Sequence, residues 1–291
     1  MSAATANPPV VSHRSRRQLA RIWRDLSGVS KVSVIILIVV ILMATIGPIL
    51  VRTDPNAINL SEAFGAPSWQ HPLGQDSNGR DLLARLVVGS RTALLGPLAV
   101  VAISTALGTV LALTAVWIGG VVDTVFARFI DAIFAFPGLL LAILVTAIFG
   151  PGLIAAVLAL SVSYTPYMAR IVRSGAIRER NLPYVDALRV QGLSPVAINY
   201  KHILPNIATL ILANGTLSFG FALIDLAGLS FIGLGVQPPT ADWGAMVGTG
   251  MAGVLQRYPQ EAFYAGFLIV ATVFAANQLG NWLQDRAESA R

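Results

Sequence analysis

Long stretches without a charged residue constrain this chain more than any other feature. Asp, Glu, Lys and Arg are absent from 32–51, 92–122, 132–169 and 262–284, and between 202 and 241 only Asp225 interrupts. A helix needs roughly 20 mostly apolar residues to cross about 30 Å of hydrocarbon. Val32–Val51 fits one crossing. The second stretch holds 31 residues, longer than one perpendicular crossing requires, and Gly96-Pro97 near its start marks a bend or an interfacial beginning. The third is too long for one helix. Gly150-Pro-Gly152 in its middle reads as a turn, which divides it into short spans over 132–149 and 153–170. With 202–241 and 262–284, the expectation is an all-α membrane protein of six transmembrane helices.

Composition agrees. The 291 residues are 55% hydrophobic and 12% charged, and the mean hydropathy is +0.70, whereas a soluble domain carries about 25% charge. With no cysteine, disulfide scaffolds, thiolate metal sites and cysteine nucleophiles are excluded. His13, His71 and His202 have no metal-ligand spacing, so no metal site is expected. The only lysines, Lys31 and Lys201, lack a Gly-x4-Gly-Lys-Ser/Thr setting. No serine, histidine and acid set suits hydrolysis. The chain is therefore expected to have no catalytic residue and to bind no cofactor itself.

Arginine placement sets the orientation. Six basic residues precede the first span and six lie between the fourth and fifth, from Arg170 to Lys201. With a cytoplasmic N-terminus and six spans, 15 of the 20 basic residues fall inside, as the positive-inside rule requires. The net charge of +6 is then mostly topology, and no nucleic-acid partner is implied. The first apolar run is too long and begins too late for a signal peptide, so it is read as a retained span. The organisation is a basic cytoplasmic tail (1–31) that could touch anionic lipid headgroups, a first span (32–51) and an extracytoplasmic loop (52–91). A five-helix core (92–284) and a cytoplasmic tail (285–291) follow. Within the core lie an inner loop (173–205) and an outer loop (236–261).

The inner loop has structure of its own. Asn181-Leu-Pro183 starts a helix, with proline in its first turn. Tyr184, Val185 and Leu188 mark an apolar face, and Gly192 ends the helix. Ser194-Pro195 opens a second helix that runs to Leu204-Pro205. In the outer loop 52–91, Leu82, Leu86 and Val87 at helical spacing, with Asp81 and Arg85 between them, predict an amphipathic helix along the outer interface. Asp225 is the only acid deep within a span, where charge is expensive. Two readings stand. It lines a substrate path with Asn214, Ser218 and the aromatic Phe136, attracting a peptide's amino group, or it is a structural carboxylate bonded to Asn214 or Ser218.

Three motifs carry a resemblance. Asp186-Ala187-Leu188, three residues, Gly192, nine residues and His202-Ile-Leu204-Pro205 is similar to the EAA loop of bacterial ATP-binding-cassette importer permeases. There the pattern is Glu-Ala-Ala, three residues, Gly, nine residues, Ile-x-Leu-Pro. Asp186, Leu188 and His202 depart from it; Gly192 and Leu204-Pro205 match in register. His71-Pro-Leu-Gly-Gln-Asp76 with Asn78-Gly-Arg80-Asp81, and Leu229-Ser-Phe-Ile-Gly-Leu-Gly235 through Gln237, Asp242 and Trp243, resemble the C-type permease subunit of dipeptide, oligopeptide and nickel importers. The resemblance runs from about residue 70 to the C-terminus. It implies the type I importer permease fold and a prokaryotic inner-membrane location with both termini cytoplasmic. It also implies a second homologous permease, one or two ATPase subunits that hold ATP and Mg, and a solute-binding protein outside. By the same resemblance Pro183, Tyr184, Val185, Asp186, Ala187, Leu188, Arg189, Gly192, Leu204 and Pro205 couple to the ATPase. Gln237, Asp242 and Trp243 are candidate contacts for the binding protein. Di- or oligopeptide is the implied cargo, with nickel or haem as the alternative. A stand-alone secondary transporter would be expected to show repeated halves and several intramembrane ionisable groups, and neither is evident.

Overall fold

The computed structural model describes residues 26–51 and 53–289, with side chains as far as Arg286. Most of the basic N-terminal tail, including His13, lies outside the described residues. The described chain is almost wholly helical. We number its main helices α1 (Gly28–Thr45), α2 (Leu82–Ile118), α3 (Gly120–Phe134), α4 (Gly138–Phe149), α5 (Leu153–Arg180), α6 (Pro183–Val190), α7 (Pro195–Phe231), α8 (Trp243–Leu255) and α9 (Gln260–Ser289). Five of them are long and apolar enough to cross a membrane, and α3 with α4, bent by 78° at their junction, pass the same test as a pair, which makes six if the bent pair is one span.

α1 opens on Ser27, whose hydroxyl accepts from Ser30 N at 3.1 Å. Only Ser30, Ser33, Val40 and Ala44 of α1 are buried, a narrow edge that packs on α2 and α9. Its other faces are exposed Val, Ile and Leu, the pattern of a peripheral helix in lipid.

α2 departs from the sequence expectation. The helix predicted to lie along the interface at 81–87 is the start of a single rod of 37 residues, about 55 Å long at 1.5 Å per residue. Asp81 caps it, accepting from Ala84 N at 2.6 Å, and Pro97 sits inside it. Charge does not separate the two parts because each arginine finds a partner. Arg85 is buried against Asp76, and Arg91 donates from Nε to the Ala44 carbonyl at 2.9 Å.

The third span also differs. The sequence reads one short span over 132–149 with a kink before Pro137-Gly138; the structure turns that kink into a full break, with Ala135–Pro137 separating α3 from α4, because a proline cannot continue the helix that precedes it. α4 has 12 residues, about 18 Å, too short to cross alone. α3 lies against α5 through Arg173–Asp123 and Arg170–Asp131 ion pairs, each at 2.6 Å. The turn at Gly150 (φ +95°) joins α4 to α5 as the sequence predicts. Three apolar clusters fill the bundle. The one at the 183–205 end, which we call the inner end, centres on Leu113, Met168, Val172 and Ile207, the middle one on Val100, Leu160 and Leu226, and the one at the opposite end, called outer, on Leu82, Leu86, Leu223 and Trp243.

Candidate functional site

The inner end of the bundle carries the segment with the most specific sequence pattern. α6 starts at Pro183 and ends in a paired turn: Gly192 N donates to Arg189 O at 2.9 Å, and Leu193 N to Leu188 O at 3.2 Å. These two bonds form a Schellman stop, which needs a left-handed residue at its second last position; Gly192 supplies it at φ +78°. α6 then seats its inward face on the bundle. Val185 is fully buried in the inner cluster, with Tyr184, Leu188 and Leu193 packed against it.

Polar contacts fix the seat. Tyr184 Oη donates to Glu179 Oε1 at 2.9 Å, and Asn206 Nδ2 donates to the same oxygen at 2.7 Å. Burial, and then the hydrogen bond to Glu179, push the Tyr184 hydroxyl up from its usual range, so it remains a donor. Arg180 and Arg189 both lie over the Trp117 ring, at 5.7 and 5.2 Å, and Arg180 Nη1 donates to the Val116 carbonyl. The outward side of the segment is left bare: Leu182, Pro183, Asp186, Ala187, Val190 and Val196 are exposed, Val190 at 90%.

The second helix of this segment does not end at Pro205. It runs on as α7, through a π-helical turn at Asn199–Ile203 in which Leu204 N donates to Asn199 O. The wider turn lies where the Pro205 ring would otherwise meet the carbonyl four residues back. Asn199 is buried, and its side-chain oxygen has no hydrogen-bond partner. Leu204 packs on the inner cluster, whereas Pro205 is exposed.

Midway through the bundle, Tyr164 Oη donates to Asp225 Oδ2 at 2.8 Å, and Tyr167 Oη donates to Asn214 Oδ1 at 3.2 Å. Asp225 therefore pairs across to α5, not with Asn214 or Ser218 on its own helix. Asn214 Nδ2 donates to Leu210 O at 2.9 Å, and Ser218 is buried. Phe136 lies in the α3–α4 break and is 67% exposed. Tyr164 and Tyr167 were not picked out from the sequence, although an acid within a span calls for such a donor on a neighbouring helix.

The outer end is closed by buried charge. Asp76 receives Arg80 Nε at 2.6 Å and lies 3.8 Å from Arg85 Nε. Arg85 Nη1 reaches the Pro55 carbonyl at 3.1 Å and Asn56 Oδ1 at 3.2 Å. His71 Nδ1 bonds Asp81 Oδ2 at 2.7 Å. Trp243 Nε1 donates to Leu86 O at 2.9 Å, and Thr92 Oγ1 to Ala241 O at 3.2 Å.

These contacts correct the proposed binding-protein surface. Trp243 is fully buried and Asp242 is 6% exposed, because Asp242 caps α8 through Ala245 N at 3.1 Å and Trp243 fills the outer cluster. Neither offers a face to another molecule. Burial pushes the Asp242 carboxyl up, against the lowering effect of the N–H bonds it accepts. Gln237 spends its amide on the Gly233 and Gly235 carbonyls, at 2.9 and 3.0 Å.

Residues 104–290 match the family described as binding-protein-dependent transport system inner membrane component. The chain belongs to that family. It is 36% identical over 259 residues to a putative peptide transport system permease protein of Brucella suis, covering 88% of this chain and 86% of that protein. It is 35% identical over 254 residues to the dipeptide transport system permease protein DppC of Alkalihalophilus pseudofirmus (87% and 83%). Against the glutathione transport system permease protein GsiD of Escherichia coli it is 35% identical over 290 residues (98% and 94%). The chain is thus a multi-pass permease subunit of an ATP-binding-cassette importer with the type I permease fold. ATP hydrolysis in such importers belongs to separate subunits.

Apart from Phe136 in the α3–α4 break, the candidate residues fall into three places. Those of the 183–205 segment cluster at the inner end. Asp225 and Asn214 lie on α7 facing tyrosines of α5. The 237–243 group is folded into the outer closure.

Proposed function

We propose that this permease forms half of a translocation path for di- or oligopeptides and receives the ATPase cycle through α6 and its flanking turns. The observation that carries the coupling reading is the two-sided character of α6. One side is held by Val185, Tyr184 and the Schellman stop, while the other leaves Leu182, Ala187 and Val190 exposed beside Asp186 and Arg189. A short helix fixed to the bundle and bare on its far side passes rigid-body motion from a docked subunit to α5 and α7. The basic residues between α5 and α7 support a cytoplasmic position for this end and for both termini. In the assembly, one or two ATPase subunits supply the ATP and Mg site, a second homologous permease completes the path, and an extracytoplasmic binding protein delivers cargo.

The peptide cargo rests on the names of the relatives and on Asp225. A carboxylate held by Tyr164 inside the membrane region is the group that a protonated peptide amine would seek.

Val190→Asp tests the coupling. The residue is 90% exposed, so the fold tolerates the change. ATPase subunits should no longer co-purify with the permease, and uptake should fall about tenfold or more; full co-purification and normal uptake would overturn the reading. Asp225→Asn tests the path, since the amide can still accept from Tyr164. Peptide uptake should drop without a change in thermal stability, and unchanged uptake would make Asp225 purely structural.

A further inference from the structure

A groove of about 690 Å³ runs along the outward-facing edge of α1, where α1 and its short continuation Gly47–Leu50 meet the start of α2. Its walls are Val39, Leu42, Met43 and Ile46 on one side and Leu83 and Val87 on the other. Among the described residues, polar groups line it only toward one end, where Thr53, Gln70 and Asp81 close it. The length from Val39 to Leu50 is about 16 Å, close to the depth of one leaflet, half of the roughly 30 Å hydrocarbon core.

Three observations identify the occupant. Polarity changes along the groove in the direction in which a bilayer changes, from apolar depth to the polar loop at 53–81. α1 is peripheral, packed on α2 and α9 with Val39, Leu42 and Ile46 about half exposed, so the groove opens away from the bundle along an apolar helix face. At the polar end Trp69 is fully exposed beside Gln70, and Ile49 and Leu50 are more than 70% exposed. An aromatic at this height is the anchor expected where chain and headgroup regions meet.

We infer that this groove is a binding site for one acyl chain of a membrane phospholipid. The polar end with Thr53 and Gln70 receives the glycerol and headgroup region, and Trp69 is the interfacial anchor beside it. The chain fills the space between α1 and α2 that neither helix fills, and so supports α1, which otherwise meets the bundle along a single narrow edge. The site is independent of cargo and of coupling.

The test uses the full-length permease in nanodiscs containing phosphatidylethanolamine with a photoreactive diazirine on its acyl chain. Peptides labelled on irradiation are then mapped by mass spectrometry. Residues 39–50 and 83–87 should be labelled about tenfold more than the exposed α9 face at Phe263, Phe267 and Val270, as a site preferred over bulk lipid requires. Leu42→Trp, which fills the groove from an already exposed position, should bring that labelling down to the α9 level and leave α9 unchanged. Ile46→Trp carries the same expectation if the first variant is not produced. Equal labelling of the two regions, or labelling that survives both fillings, would overturn the inference. So would a variant effect that appears only when another protein chain is present, because the groove would then belong to a partner's helix.

Discussion

The two ends of the bundle are held together by different physics. At the outer end Asp76, Arg80 and Arg85 are buried, and they tie the 53–81 loop to the first turns of α2. Trp243 and Thr92 bind α2 to the 241–243 segment through backbone carbonyls. At the inner end the ion pairs are exposed or half-exposed. Arg170–Asp131 is open at 58% and 55%, and Arg189–Asp186 at 38% and 70%. A Schellman stop also sets α6 off from α7, and α7 carries a π turn near its start. Buried pairs are costly to break and exposed pairs are not. The outer end is therefore built as one unit, and the inner end as parts that adjust against one another.

The largest expected effect comes from breaking the outer unit. Asp76→Ala leaves two arginines buried without their carboxylate and should cost about 3–5 kcal/mol, read as a large fall in the temperature at which detergent-solubilised permease aggregates. A loss below about 1 kcal/mol would mean that the outer end is no firmer than the inner one. Trp243→Phe keeps most of the packing but removes the bond that the indole N–H donates to the Leu86 carbonyl, which keeps its place in the α2 ladder. It should cost about 0.5–1.5 kcal/mol, and additivity with Asp76→Ala would show that the two contacts act separately.

Gly192→Ala comes next, at about 1–2 kcal/mol, because an alanine resists the left-handed backbone there. The loss should appear as faster hydrogen exchange confined to 183–195, with the outer end unchanged. Asp131→Ala should be the mildest, at most about 1 kcal/mol. A larger loss would make α3 a structural brace and weaken the contrast between the two ends.

Much of this was legible in the sequence, and the exceptions have causes. Charge-free stretches locate spans because hydrocarbon excludes charge, so the helices came through with their turn at Gly150–Gly152. The start of α2 did not, because Arg85 and Arg91 look like interruptions until their partners, Asp76 and the Ala44 carbonyl, are placed by folding. The break after Phe134 had its signal in Pro137. The inner segment was readable to the residue at Pro183 and Gly192, since helix starts and stops are local. Tyr164 and Asp225 are 61 residues apart in sequence, and nothing local joins them. Asp242 and Trp243 stand in the outer loop offered as a binding-protein contact, and nothing local marks them as a helix cap followed by a core anchor.

The long α2 rod has a consequence for how this chain can vary. Its backbone carbonyl at Leu86 accepts from Trp243 at the outer end, and its carbonyl at Val116 accepts from Arg180 at the inner end. Each residue of an α-helix advances the azimuth by about 100°. A single insertion between these two carbonyls would turn one of them away from its donor by more than a quarter circle, whereas an insertion of seven residues would nearly restore the phase. The interval from 86 to 116 is thus fixed by angle as well as by length, and changes in chain length should accumulate in the loops at either side of it.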